Sequence, residues 1–514
     1  MAMKQERVSI LLILLCSACL LFFRLSFLSF SVDEFYNIEI DTNRSADILH
    51  ALTHGSDLHP PLSHFISHIW MRIFGASEWA ARSVWALIGV LVIAMIYRWG
   101  KMTIASSTGI LAAIILISLP TFLLYTRFVK YYSLTIALAL LTAIMFISWL
   151  RSPNVARLAA YSGVLTLYLY TDYFGPATWI VWSNIIVVNL MLQRSANLSF
   201  RSWKWFIIGQ AVSGVLWLPW IFTAFVQADT VFSMGAADLA GGGLGFILNI
   251  VQALYAFTVG ETIFPWHIAG IIGTIIVFVA GIRFLMSLSK ISMMPSVLWS
   301  AGYVVLSLGL VSFLTSTLIQ GVPFIAFANH TLFVLPFFML CLGAGLLKIQ
   351  NVKLRYGLIV GLLVVRLVGL SHYFTGQDFQ NPIYAVPTRE IVSQMVTEIS
   401  RHDLVLAAPD TGIGFYAQRV AGWETPILDP RESKQSQDWI MENTPYHIWL
   451  FIFGRDRTRT DEPLKLAEWI DGRCFLELEQ GYTEQNALYR SLKSLLFKRP
   501  AYQHKLTLYR YNCQ

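Results

Sequence analysis

Asp33 and Glu34 follow the first apolar run of this sequence, and His59-Pro60-Pro61 lies in the same polar stretch, residues 31–82. A carboxylate in a partly desolvated cleft has a raised pKa and can serve as a general base. Neighbours in an extended segment point to opposite sides, so the two acids are expected to have different jobs. Ordinary interfacial acids are the alternative. Two prolines fix the backbone after His59 and disfavour helix before them, which holds the imidazole in a defined place. A plain helix start with a surface histidine reads the same way. From Pro61 onward a helical pattern runs from Leu62 to Phe74. Its Phe65, Ile69, Trp70, Ile73 and Phe74 suggest an amphipathic helix lying on a membrane.

A second cluster is Tyr125-Thr126-Arg127-Phe128-Val129-Lys130-Tyr131-Tyr132. Cations beside aromatic rings at headgroup level suit a phosphate. Arg127 can grip it bidentately, and Lys130 acts as a point charge. An aromatic belt with snorkelling cations is the competing reading. On a helix start, their spacing of three would put both on one face. Asp172 and His330 are polar residues at span ends, where solvated caps are the plain alternative to ligands.

These groups need a scaffold, and the composition says which kind. Of 514 residues, 56% are hydrophobic and 13% charged, with a mean hydropathy of +0.59. Soluble domains carry about 25% charged residues, so this is an integral membrane protein. The net charge of +7 fits anchored cytoplasmic loops, and no basic or zinc-spaced motif points to nucleic acid. Residues 8–30 read as a retained span, too long for a signal-peptide core. Ten more apolar stretches of spanning length lie near 83–100, 106–125, 131–150, 156–172, 176–193, 204–226, 266–287, 296–319, 325–347 and 354–373, which makes eleven. With the N-terminus inside, the inner ends hold fourteen Lys and Arg and the outer loops before the tail hold five. That asymmetry supports the orientation. Of the twelve acids before the tail, all but Glu6 fall outside, Asp229, Asp238 and Glu261 among them. Acid–base chemistry therefore belongs on the outer face.

The chain divides at 376/377. Residues 1–376 form the membrane domain, with 31–82 as its first outer loop. Residues 377–514 alternate helix-like stretches (387–400, 433–443, 464–471, 484–496) with strand-like ones (403–408, 425–428, 447–453, 474–478, 506–511). This predicts a small extracytoplasmic α/β domain. It lacks the full Gly-rich phosphate fingerprint. Cys474 and Cys513 can pair if the tail is outside the cytoplasm. Cys16, Cys19 and Cys341 sit in apolar spans.

Taken together, these residues carry a resemblance. Asp33-Glu34 after span one, His59-Pro60-Pro61-Leu62, then Phe74-Gly75-x-Ser77-Glu78-x-x-x-Arg82 form its first part. Arg127-x-x-x-Tyr131 and Thr171-Asp172-Tyr173 complete it. The pattern resembles the GT-C glycosyltransferases. The nearest branch is the dolichyl-phosphate-mannose protein mannosyltransferase-like group, which includes the aminoarabinose transferase of lipid A. The resemblance covers residues 15–180 well, 180–375 loosely and the tail weakly. It implies a multi-span GT-C-like bundle with an extracytoplasmic active site. It also implies a polyprenyl-phosphate sugar donor and inversion at the anomeric carbon. The family's base falls on Asp33 and its companion acid on Glu34. His59 stands where the aminoarabinose transferase has a lysine that contacts the donor phosphate. Asn329-His330 stands where many relatives carry Arg-Tyr. Tyr131, Asp172 and His330 become pocket candidates beside the phosphate candidates Arg127, Lys130 and His59.

The expectation is a multi-pass plasma-membrane (cell inner membrane) enzyme. It would transfer a sugar from a polyprenyl-phosphate donor to an extracytoplasmic protein, lipid or glycan, among membrane lipids and without nucleic acid. No cofactor is needed. A divalent metal between the acids is chemically allowed, but no ligand-spaced cluster calls for one, so none is expected. The competing functions are a transporter or flippase of polyprenyl-linked glycans and a sensing protein whose tail binds a ligand. Nearly charge-free spans and the lack of a repeat speak against transport.

Overall fold

The computed structural model describes residues 2–55, 57–193, 200–233, 242–288, 295–319, 324–454, 462–497 and 502–513. Asp238, counted above among the outer acids, and Arg194 and Lys290, counted among the inner cations, lie outside them. The chain forms two compact units. One contains residues 1–25 and 37–375, the other residues 26–36 and 376–514.

The first unit is helical. Among the described residues nine helices are long and apolar enough to cross a membrane, or ten with a bent pair counted as one. The sequence reading expected eleven. Two physical reasons account for the difference. The stretch 156–172 folds as Val155–Leu169, 15 residues, which reaches only about 22 Å against a hydrocarbon core of about 30 Å. The stretch 106–125 is broken into Ser106–Ile117 and Pro120–Thr126, bent by 72°. Pro120 has no N–H to continue the helix and its ring would clash with the turn before it. An apolar helix not anticipated from the sequence, Gly242–Thr258, also belongs here. Helices Glu78–Thr103 and Ser106–Ile117 approach closely at Gly100 and Gly109. A Cβ on Gly100 would lie 2.5 Å from the Gly109 Cα, so only glycine admits this crossing.

A break inside a membrane leaves backbone carbonyls without partners, which hydrocarbon does not tolerate. Arg366, on helix Val352–Thr375, supplies the donors. It is fully buried. Its guanidinium donates to the Ile115 carbonyl at the break. It also donates to the Thr258 carbonyl, at 3.2 Å from Nε and 3.0 Å from Nη2, at the end of Gly242–Thr258. One side chain closes two helix ends.

The second unit is an α/β sheet of five strands: β1 (Leu404–Ala407), β2 (Ile427–Leu428), β3 (His447–Phe453), β4 (Phe475–Glu484) and β5 (His504–Asn512). Their order is β2-β1-β3-β5-β4. β1 runs parallel to β2 and β3, while β5 is antiparallel to β3 and β4. The four helices and five strands read from the sequence are all present, with shifted ends. Leu404, Leu406, Ile448 and Leu450 pack with Ile440, Leu466 and Ile470 in its core. Phe475 pairs with Asn512 in register. This brings the adjoining Cys474 and Cys513 to a Cα separation of 4.4 Å, and they form a disulfide.

Replacing Arg366 by methionine should lower the stability of the purified protein by at least about 2–4 kcal/mol, since several carbonyls lose charged donors. Lysine should rescue little, because it has no fork. Thermal unfolding in detergent measures this, and parent-like midpoints for both variants would contradict the assignment.

Candidate active site

In the first unit the polar loop builds a buried ionic network. Helix Leu62–Phe74 has the predicted bounds. It turns Ile69, Ile73 and Phe74 outward and buries His64, Ser67, His68 and Met71. This is the reverse of a soluble amphipathic helix and fits one lying on lipid. The inward histidines meet the acids of the loop. His64 Nδ1 lies 2.7 Å from Asp41 Oδ1, and its Nε2 lies 3.5 Å from Asp57 Oδ1. His59 Nδ1 lies 2.7 Å from the same Asp57 oxygen, which also accepts the His59 backbone N–H at 2.8 Å. His68 Nδ1 donates to the Asp41 carbonyl at 2.8 Å. Its Nε2 then accepts from Ser45 Oγ at 3.3 Å.

Burial alone would depress the His64 imidazolium, but Asp41 and Asp57 outweigh it and push its pKa up to about 10. Burial would raise Asp57, yet His59 and His64 hold it well below the usual carboxylate range. Asp41, the most enclosed member, is raised by burial against the pull of His64. The network thus holds a protonated His64 against an ionised Asp57.

Asp57 fixes the His59 ring through Nδ1, so Nε2 is the nitrogen that can present to a ligand. The ring packs on Tyr131, with centroids 4.7 Å apart. Burial, then nearby Asp172, drives the Tyr131 phenol well above its ordinary pKa, so it stays a hydroxyl donor. Asp172 is buried and accepts from Thr135 Oγ1 at 2.7 Å and from the Phe174 N–H at 3.1 Å. Burial raises its pKa, and His59 is among the groups that lower it. The Leu62 N–H donates to the Tyr170 carbonyl at 3.0 Å, joining the His-Pro-Pro turn to the Thr-Asp-Tyr turn. Gln227 completes the frame. It is buried on helix Phe200–Ser233 and donates to the carbonyls of Leu52 at 3.2 Å and Asp57 at 3.0 Å. The structure therefore brings His59, Tyr131 and Asp172 together.

The other candidates are placed differently. Arg127 and Lys130 share no helix face. Arg127 C-caps the short helix Pro120–Thr126, and Lys130 lies in the turn before Tyr132–Arg151. Pro120 ends one helix and starts another so short that the expected register cannot form. Arg127 is buried and donates to the carbonyls of Phe23 at 2.9 Å and Arg24 at 2.7 Å. Its guanidinium lies over the rings of Tyr373 and Phe374. Lys130 sits 5.7 Å from the Tyr132 ring centroid. Half-buried His330 meets Phe174 edge-on at 6.4 Å.

The sequence reading missed Asp41, Asp57, His64 and Gln227 as site residues. Two histidines four apart on a predicted helix, His64 and His68, were the available signal. Glu261 is another buried acid of the first unit. Its Oε2 accepts from the Tyr125 hydroxyl at 2.9 Å, and burial pushes its pKa up to about 8.

In the second unit, Asp33 and Glu34 occupy the first turn of helix Val32–Asp41. The segment is helical where an extended one was expected, because Ser31 and Glu34 form a capping pair. The Ser31 N–H donates to Glu34 Oε2 at 3.0 Å. Glu34 is buried and Asp33 half-buried. Residues 26–36 are stitched to the C-terminal fold. Arg389 donates to the Ser26 carbonyl at 2.9 Å, Ser29 Oγ donates to Glu390 at 2.8 Å, and the Phe30 N–H donates to the Tyr416 hydroxyl at 2.6 Å. Gly412, at φ +73°, leaves the space that Phe35 fills.

Among the described residues no group of three or more His, Cys, Asp or Glu is arranged to hold a metal ion. Residues 58–221 match the family model described as dolichyl-phosphate-mannose-protein mannosyltransferase. No curated protein sequence matches the chain. Two solved structures of ArnT from Cupriavidus metallidurans are similar along their whole length. The one bound to undecaprenyl phosphate has a TM-score of 0.56 at 11% identity, covering 97% of this chain and 97% of that one. The apo state has a TM-score of 0.59 at 11% identity, covering 99% and 98%. At such identity the likeness is one of fold.

The network predicts a pH dependence. His64 moves from an ordinary 6.5 up to about 10 on folding. Its stabilising contribution is therefore complete below about 6.5 and is lost as pH rises through 10. The unfolding midpoint of the parent should exceed that of His64→Gln near neutrality, and the gap should close between pH 7 and 10. A gap that stays constant across this window would show that His64 is not held charged.

Proposed function

We propose that this chain, a GT-C-fold protein with a mannosyltransferase-like segment at 58–221, is an integral-membrane inverting glycosyltransferase. It takes a sugar from a polyprenyl-phosphate carrier and gives it to an acceptor hydroxyl on the extracytoplasmic face. One observation carries the reading. The family match spans the loop and turns that hold His59, Arg127, Lys130, Tyr131 and Asp172, on a fold shared end to end with a protein solved with undecaprenyl phosphate.

The chemistry needs little. A phosphate-linked sugar already carries its leaving group. In one displacement the acceptor oxygen attacks the anomeric carbon and the bond to the phosphate oxygen breaks. The acceptor proton passes to Asp33, and polyprenyl phosphate departs with the bonding electrons. Glu34 holds the turn that presents Asp33. His59, oriented by Asp57, offers Nε2 to the phosphate, with Lys130 as a point charge and the Tyr131 hydroxyl as a neutral donor. Asp172 and His330 line the sugar pocket. Arg127 serves the phosphate as far as its bonds to backbone carbonyls leave it able to. No cofactor or metal is required by these steps.

The Cys474–Cys513 disulfide supports the location, since such bonds persist outside the reducing cytoplasm. The charge asymmetry of the loops points the same way. Both support our reading of a plasma-membrane protein with its C-terminal domain, residues 377–514, on the outer side.

Release of polyprenyl phosphate from a polyprenyl-phosphate sugar, measured for purified variants, tests the roles. Asp33→Asn should lower turnover at least about 100-fold, the usual scale for loss of a general base, with donor binding kept. His59→Ala should weaken donor binding about tenfold or more, the worth of a charge-assisted bond, and His59→Lys should restore part of it. Near-normal turnover by Asp33→Asn would remove it as the base.

A further inference from the structure

The end of the first unit that is rich in Lys and Arg contains a cavity of about 550 Å³ lined by Ile10, Ala94, Tyr97, Arg98, Lys101 and Arg151. These residues come from the ends of three spans, Gln5–Phe22, Glu78–Thr103 and Tyr132–Arg151. The positive charges of the cavity are not equivalent. Lys101 is paired with Glu6 at 2.7 Å, and Tyr97 donates its hydroxyl to the same carboxylate. Arg151 donates to the Met102 carbonyl at 2.6 Å, a neutral group. Arg98 has no hydrogen bond, ion pair or ring contact among the described residues. Glu6 therefore neutralises one of three cations, and two guanidinium charges face the cavity uncompensated.

The wall leading away from these charges is apolar and exposed. Leu87, Leu91, Ala94 and Arg98 follow one another by four, three and four along helix Glu78–Thr103, so they lie on one face. Leu87 is 45% and Leu91 54% exposed. From Leu87 to Arg98 the stripe is about 16 Å long. On the neighbouring helix Leu11, Leu12 and Leu15 are exposed as well. A short apolar track ending in two guanidinium groups, neither paired with an acid among the described residues, has the shape and charge order of a lipid: acyl chain, then anionic head. Arg forks match phosphate geometry, and basic pockets between spans on the positive side suit acidic headgroups. Free phosphate would use the charges alone. A zwitterionic lipid would bring a cation of its own against Arg98.

We propose that this cavity binds the phosphodiester headgroup of an anionic phospholipid, held by Arg98 and Arg151, with an acyl chain along Leu87 and Leu91. The site lies apart from the residues assigned to sugar transfer and does not depend on that assignment.

The experiment uses the full chain in detergent micelles, with thermal unfolding and native mass spectrometry as readouts. Phosphatidylglycerol, phosphatidylcholine and inorganic phosphate are added separately. Phosphatidylglycerol should raise the midpoint by several degrees and stay bound in the spectrometer, while the other two should do neither. Arg98→Gln, which removes no hydrogen bond, ion pair or ring contact among the described residues, should unfold like the parent in phosphatidylcholine and lose at least half of the phosphatidylglycerol increment. Leu91→Ser should reduce the increment too. Equal effects of the two lipids, an equal effect of inorganic phosphate, or a full increment in Arg98→Gln would each overturn the proposal. Should Arg98→Gln unfold early in phosphatidylcholine, the count of phosphatidylglycerol retained by Arg98→Lys decides. Lysine keeps the charge, so retention equal to the parent supports the site and retention no greater than in Arg98→Gln overturns it.

Discussion

The Asp57 carboxylate is shared by two imidazoles, and the polar loop depends on that sharing. One oxygen accepts from the His59 ring and backbone and lies within reach of His64. A carboxylate at a lipid-facing surface stays ionised only where cations or donors surround it. Here the histidines do so, and each is fixed in return. His64 is tied back to Asp41, His59 is turned so that Nε2 faces away from Asp57, and the prolines after it leave the backbone little freedom. Gln227 holds the same loop from a spanning helix through the carbonyls of Leu52 and Asp57. The neighbouring acid therefore sets the orientation of the His59 ring.

The bundle obeys a related constraint. Backbone groups freed inside a membrane must be paired within the protein. Pro120 opens one helix, Gly242–Thr258 ends nearby, and Arg366 closes both. An arginine in an apolar span reads at first as a gating or transport charge. Bonded to carbonyls on several sides, it acts as a structural clamp.

The strong periodic signals were legible in the sequence. Leu62–Phe74 begins and ends where the pattern said, and the alternation of helix and strand in the tail is reproduced. His59, Tyr131 and Asp172 were chosen from three separate motifs and meet in one place. What escaped has physical causes. The apolar pattern does not reveal that Val155–Leu169 is only 15 residues long or that Pro120 breaks its helix. Asp41 and Asp57 look like loop acids until folding sets histidines against them, which no local spacing reveals. Ser31 and Glu34 are a readable capping pair, overlooked because the acids were first considered as chemistry. The stitching of residues 26–36 to Arg389, Glu390 and Tyr416 spans more than 350 positions and leaves no local trace.

The central claim is sugar transfer from a polyprenyl phosphate. Purified protein should be mixed with polyprenyl-phosphate sugars labelled in the sugar, together with an extract of surface glycans, lipids and proteins. The anomeric configuration of the labelled product should then be read by NMR. The account predicts stoichiometric release of polyprenyl phosphate and a product of inverted configuration. Donor left intact, or donor moved across a vesicle membrane without cleavage of its sugar–phosphate bond, would contradict it.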